Sequence, residues 1–212
     1  MTKYLMIGPH PDDVELGCLA SVLSMVKEGD EVTYMIMSKC LNIPRNNNIL
    51  KEIIDVDNAL NQLFLGLKVE YNMTLYEYNN QRLKEQHMEI RMRFEAERNF
   101  NPDFVFVSSP KDRHQDHSYI GEEALRIFRK QTVLHYEIPQ ATQNFNPTMF
   151  VEITEPIVEI SLDILALYQS QKRQSYMRKN LLTGTLRHRG NTIGKDYAQA
   201  FEIGRFVIDG KK

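Results

Sequence analysis

Residues 4–8, YLMIG, are apolar at consecutive positions, and the run stops abruptly in Gly-Pro-His-Pro-Asp-Asp. A strand with one face in water alternates apolar and polar side chains. A strand that is apolar throughout has both faces covered, as in a parallel sheet flanked by helices. Parallel neighbours need a crossover between them, usually a helix. The rest of the chain supplies such crossovers. Residues 16–30 place Leu16, Leu19, Ala20, Leu23 and Val26 at helical spacing, with Gly29 as a stop signal. EVTYMIMS (31–38) reads as a second strand, LNIPRNNN (41–48) as a loop, and 49–66 as a helix with Ile49, Ile53, Val56, Leu60, Leu63 and Phe64 on one side.

The alternation continues. The charged segment 80–99 predicts a half-exposed helix, NPDFVFVSS (101–109) a third strand, 117–130 a helix and TVLHYEI (132–138) another strand. Beyond that the pattern loosens: a strand at 150–154, a helix over 155–171 with Pro156 in its first turn, mixed helix formers and glycine turns over 175–200, and a closing strand at 201–209. The expectation is an α/β fold: a Rossmann-like, mostly parallel sheet with helices on both faces and a site at the carboxyl ends of its strands. One domain is expected over 1–212, with 1–140 as the core and 141–212 completing the sheet and the pocket.

Bulk properties narrow the function. A formal net charge of −2 and a sequence pI near 6.3 give no basic signature of a nucleic-acid binder. No apolar run reaches the length of a membrane span, and MTKYLMIGPHP is not a secretory signal. Two cysteines, Cys18 and Cys40, are too few for a disulfide framework, so a cytoplasmic protein with reduced thiols is expected.

The chemistry gathers at two strand ends. The first carries His10, Asp12 and Asp13; the third opens into SSPKDRHQDHSYIG (108–121), with His114, Asp116 and His117. Each motif alone is weak, because acidic residues near proline suit turns and Asp116 could simply cap a helix. Both at the ends of strands in one sheet are harder to dismiss. A catalytic zinc takes three ligands from imidazole and carboxylate and leaves a position for water, and a nearby carboxylate can accept that water's proton. His10 and Asp13, three apart in a turn fixed by Pro11, can face one ion while Asp12 points elsewhere; His117 supplies a third ligand and His114 remains for charge stabilisation or proton donation.

GPHPDDVELG and HQDH together resemble the PIG-L/LmbE-like zinc-dependent N-deacetylases, related to phosphatidylinositol-glycan class L and to sugar deacetylases of antibiotic biosynthesis. YEIP (136–139), FVEIT (150–154), YQSQ (168–171) and DYAQAFEIGR (196–205) resemble later segments of that family in the same order. The resemblance implies one zinc per chain and hydrolysis of an acetamide on an N-acetylglucosamine-type sugar or conjugate. It implies His10, Asp13 and His117 as zinc ligands, Asp12 as general base, His114 as oxyanion stabiliser or proton donor, and Asp116 as the group that orients His114 and keeps it protonated. Relatives are often oligomeric, so a homo-oligomer is also an expectation.

The loop after the second strand, SKCLNIPRNNNILKE, departs from the family pattern, with Arg45 standing in for a substrate-binding arginine. Arg187 and Arg189 in RHRG read either as a solvated turn or as a clamp for a substrate phosphate or carboxylate. Cys18 and His135 read as packing residues. Two other function classes stay open: a same-fold amidohydrolase acting on another acylated amine, such as a modified nucleoside, and a metal-binding module without catalysis. The absence of Gly-x-Gly-x-x-Gly after the first strand disfavours a dinucleotide enzyme.

Overall fold

The computed structural model describes residues 1–43 and 47–208. Its centre is a seven-stranded sheet in the order β3-β2-β1-β4-β5-β7-β6. The strands are β1 (Lys3–Gly8), β2 (Glu31–Ile36), β3 (Glu70–Leu75), β4 (Phe104–Ser108), β5 (Thr132–Tyr136), β6 (Met149–Glu152) and β7 (Ala198–Arg205). The first five run parallel; β7 runs antiparallel to both β5 and β6. The helices are α1 (Asp13–Gly17), α2 (Leu19–Met25), α3 (Ile49–Gly66), α4 (His87–Phe100), α5 (Gln115–Ile127), α6 (Glu155–Leu165) and α7 (Lys179–Thr192).

The all-apolar character of β1 has the expected cause. Tyr4 and Met6 join the core under α1, α2, α3 and α6, whereas Leu5 and Ile7 join the core under α4 and α5. Alternate side chains of one strand therefore serve two cores.

Several elements differ from the sequence reading. β3 was not expected, because EYNMTL is polar; it lies at the sheet edge, where one face and one side stay wet. The helix expected over 16–30 is two short helices broken at Cys18, whose backbone leaves the helical region (φ −148). Gly29, with φ +86, makes the turn into β2 instead of ending the helix. The helix expected over 155–171 stops at Leu165, and LTGTL lies inside α7. Among the described residues no helix is long and apolar enough to cross a membrane.

Candidate active site

β1 and β4 are neighbours at the point where the strand order reverses, the place at which an open α/β sheet leaves a crevice beyond its carboxyl ends. The loop after β1 brings in His10 and Asp12, and α1 opens with Asp13. Asp12 sits in the left-handed region (φ 80, ψ −21), a strained conformation for a residue with a Cβ. The turn is closed by Asp13, whose Oδ2 accepts the His10 main-chain N–H at 2.9 Å. On the other side His114 is the N-cap of α5, its ring Nδ1 accepting the Asp116 main-chain N–H at 3.2 Å.

The chain thus brings both motifs together. His10 Nδ1 lies 3.1 Å from His117 Nε2; Asp13 Oδ2 lies 3.3 Å from the first and 3.2 Å from the second. Three donor atoms form a nearly equilateral triangle among residues that are all buried. Ligands at zinc distances of about 2.0–2.1 Å in tetrahedral directions stand about 3.3 Å apart, so the donor set fits a cation of that kind. A ring nitrogen of His114 also comes within 4.8 Å of one on each of His10 and His117.

Each ligand-type histidine has a carboxylate behind it. His10 Nε2 bonds Asp116 Oδ2 at 2.9 Å, and His117 Nδ1 stands 3.2 Å from Asp112 Oδ2, at ion-pair distance but without hydrogen-bond alignment. Such partners fix a ring's tautomer and orientation. Against expectation, the Asp116 side chain orients His10 and not His114. The Asp116 carboxylate turns away from His114 to His10, and takes the N–H groups of Gln81 (2.6 Å) and Leu83 (3.1 Å). Only its main-chain N–H reaches His114, because a cap and the residue two places into the helix meet through the backbone.

The electrostatics follow. Burial works against charge on His117, but the Asp13 and Asp112 carboxylates outweigh it and hold the ring up at about 10. Burial likewise opposes charge on His10, and bonds to Asp116 and Asp13 outweigh it, raising its pKa. Asp13 is held well below the carboxylate range by His117 and His10 despite its burial. His114 goes the other way: burial, then repulsion from His10 and His117, push it down to about 4. His114 is therefore neutral near pH 7, against the expectation of a protonated ring.

A pocket of about 310 Å³ opens on the cluster. His10, Asp12, Asp13, His114 and His117 line it, with apolar Leu16, Ile43 and Ile138 and polar Asn80, Gln140, Gln171 and Tyr176. Arg187 and Arg189 are not on its wall. Arg189 forms a two-pronged pair with Glu137 at 2.8 and 2.7 Å, and Arg187 bonds the Tyr197 hydroxyl at 3.0 Å while its guanidinium lies over that ring. Both serve packing around α7. Arg45 lies outside the described residues.

Two site residues, Asp112 and Asn80, and one buried carboxylate outside the pocket lining, Glu15, go unmarked in the sequence reading. Asp112 stands two places before His114, so its signal was present within the motif. Asn80, the first residue of the expected 80–99 helix, is buried, lines the pocket, and its Oδ1 has no hydrogen-bond partner among the described residues. Glu15 is buried in α1, accepts the Tyr34 hydroxyl at 3.0 Å, and is pushed up to about 7 by burial. Nothing in the spacing marks the last two: Asn80 faces a pocket assembled from several loops, and Glu15 meets a tyrosine 19 residues away.

Comparison with known proteins bears on this geometry. The sequence profile of the family described as PIG-L, GlcNAc-PI de-N-acetylase, matches residues 5–128, which include both motifs. The uncharacterized deacetylase YaiS of Escherichia coli (strain K12) is 25% identical over 171 residues, 78% of this chain and 90% of that protein. The crystal structure of the conserved protein TT1542 from Thermus thermophilus superposes with a TM-score of 0.76 at 23% identity, covering 100% of this chain and 98% of that one. The N,N'-diacetylchitobiose deacetylase of Pyrococcus horikoshii gives a TM-score of 0.70 at 20% identity, covering 99% and 88%. These two structures share the fold.

Proposed function

The chain belongs to the PIG-L (GlcNAc-PI de-N-acetylase) family, and on that premise we propose that it is a zinc-dependent hydrolase that removes the acetyl group from an N-acetylglucosamine-type sugar or conjugate. The observation that carries the reading is the triangle of His10 Nδ1, Asp13 Oδ2 and His117 Nε2, with Asp12 and His114 on the wall of the same pocket. His10, Asp13 and His117 hold the metal. When bound, zinc lowers the pKa of its water and polarises the acyl carbonyl.

The other residues act on protons and charge. Asp12 accepts the proton of the attacking water. His114 acts as a neutral donor: its Nδ1 already accepts the Asp116 N–H, so the ring's own proton sits on Nε2. That N–H stabilises the negative charge that develops on the acyl oxygen. Asp116 and Asp112 hold the two metal-binding rings in place. Asn80, whose Oδ1 has no partner among the described residues, accepts a hydrogen bond from a substrate hydroxyl. A pocket that mixes aliphatic side chains with amides suits a sugar ring, which has apolar faces and a hydroxylated rim. A deacetylase of N,N'-diacetylchitobiose with the same fold supports a sugar acetamide as the substrate.

The test is acetate release from a panel of N-acetylated sugars and N-acetylated non-sugar amines by zinc-loaded protein. Release from the sugars and not from the amines supports the reading. Release from the amines alone would replace the sugar with another acylated amine.

A further inference from the structure

The segment 168–177 follows α6 as two short 3-10 turns and supplies Gln171 and Tyr176 to the pocket. Little of it is anchored by a core of its own: within it only Tyr168 and Gln171 are buried. A run of half-buried turns holds a binding wall poorly unless something outside ties it down.

One tie is the Ser175 hydroxyl, which donates to Gln140 Oε1 at 3.1 Å; the buried one is Glu52, in the first turn of α3 and only 6% exposed. Its Oε1 accepts the Ser170 main-chain N–H at 2.9 Å and its Oε2 accepts the Ser170 hydroxyl at 2.7 Å. The contacts continue toward the pocket. Ser170 Oγ accepts Gln171 Nε2 at 3.0 Å, and Gln171 Oε1 accepts the Tyr176 hydroxyl at 3.4 Å. α3 also places Ile49, three residues before Glu52, in the pocket lining. One buried carboxylate therefore joins two walls of the pocket that are more than a hundred residues apart in sequence.

We propose that Glu52 is a positioning residue for substrate binding: through Ser170 it fixes Gln171 and Tyr176 where they receive the hydroxylated part of the substrate beyond the acetamide. Both of these carboxylate bonds go to Ser170, which is none of His10, Asp12, Asp13, His114 or His117. Removal of Glu52 should weaken the Michaelis complex and leave the chemical step and the metal alone. The assignment of a substrate rests on the deacetylase reading above, but the clamp itself can be measured without turnover.

Two measurements on Glu52→Ala, Glu52→Gln and Ser170→Ala decide it: hydrogen exchange by mass spectrometry, and steady-state kinetics with N,N'-diacetylchitobiose. In Glu52→Ala the amides of 168–177 should exchange faster while those of 10–17 keep their protection, and zinc content should not change. KM should rise by about tenfold with kcat within about threefold of wild type, the pattern of a lost binding contact. Glu52→Gln retains a carbonyl oxygen for the Ser170 N–H, and the Ser170 hydroxyl can turn to accept from the amide. Its KM should stay within about threefold of wild type. If Glu52→Ala does not fold, Ser170→Ala carries the same test: it loses the hydroxyl's bonds to Glu52 and from Gln171 and keeps the main-chain bond to Glu52. Unchanged exchange in 168–177 would overturn the proposal, as would a fall in kcat at constant KM or a loss of thermal stability with KM unmoved. Wild-type protein that releases no acetate, yet shows Glu52-dependent protection of 168–177, would remove the deacetylase reading and support the clamp.

Discussion

Replacing Gly17 by alanine adds one methyl group at the end of α1, and the structure leaves no space for it. The new Cβ would lie 2.2 Å from Tyr136 Cδ2, 2.5 Å from its Cγ and 2.8 Å from its Cε2. Carbon atoms out of bonding contact rest about 3.5–4.0 Å apart, so helix and ring must separate by about 1.3 Å or more. The ring is fully buried, and its hydroxyl donates to the Ile7 carbonyl at 2.8 Å, at the end of β1. It cannot swing away without losing that bond. α1 must then move, and Asp13 moves with it, out of a donor triangle whose sides are 3.1–3.3 Å. Overpacking of this kind destabilises by about 1–3 kcal/mol, and loss of the tyrosine bond adds about 1 kcal/mol. The better helix propensity of alanine returns about 0.5–1 kcal/mol. The clash wins, with a net loss of about 1–3.5 kcal/mol and a drop in Tm of about 2–14 °C for a chain of this size. Zinc affinity, read by competition with a chromogenic chelator, should fall by about 10–100-fold, as when the groups that orient a ligand are disturbed. Tyr136→Leu should relieve the clash, so Gly17→Ala should destabilise less in that background. A Gly17→Ala protein with Tm within about 1 °C of wild type and unaltered zinc affinity would refute the packing argument.

Other outcomes follow from the same geometry. Asp12→Asn should retain zinc and lose about 10²–10⁴-fold in kcat, whereas Asp13→Asn should lose zinc; metal analysis beside kinetics separates them. His114→Ala should lose about 10²–10³-fold in kcat with metal retained. Because burial holds His114 below its ordinary value, its ionisation should leave no limb in the pH–rate profile near neutral pH, and a limb that vanishes in His114→Ala would contradict the neutral-donor role. Asp116→Asn, which loosens His10, should weaken zinc binding by about 10–100-fold, measured by chelator competition. In the metal-free protein His117, raised from 6.5 to about 10, carries a proton at pH 7. Metal uptake must displace it, so calorimetry in buffers of different ionisation enthalpy should report proton release, and zinc affinity should rise with pH up to about 10.

The sheet was legible because its central strands must be apolar on both faces, a pattern that few other structures produce. The pairing of the two His/Asp motifs was legible for a related reason: both follow strands, and parallel strands place all their carboxyl ends on one side. What the sequence hid depended on neighbours far along the chain. β3 is polar because it is an edge strand. Asp116 was assigned to His114 by closeness in sequence, whereas its carboxylate meets His10 across the crevice, 106 residues away. Arg187 and Arg189 looked available because nothing local pairs with them; their partners are Tyr197, in the turn beyond α7, and Glu137, after β5. Asn80 and Glu52 carried no spacing signal, since one faces a pocket assembled from several loops and the other bonds a serine 118 residues downstream.

The most direct test of the central claim is a zinc titration of metal-free protein with acetate release from N,N'-diacetylchitobiose as the readout. The account predicts activity that is absent without metal, rises in proportion to added zinc, and levels off at one ion per chain. Acetate release that is already complete in the metal-free protein, or no release at any zinc loading, would contradict it.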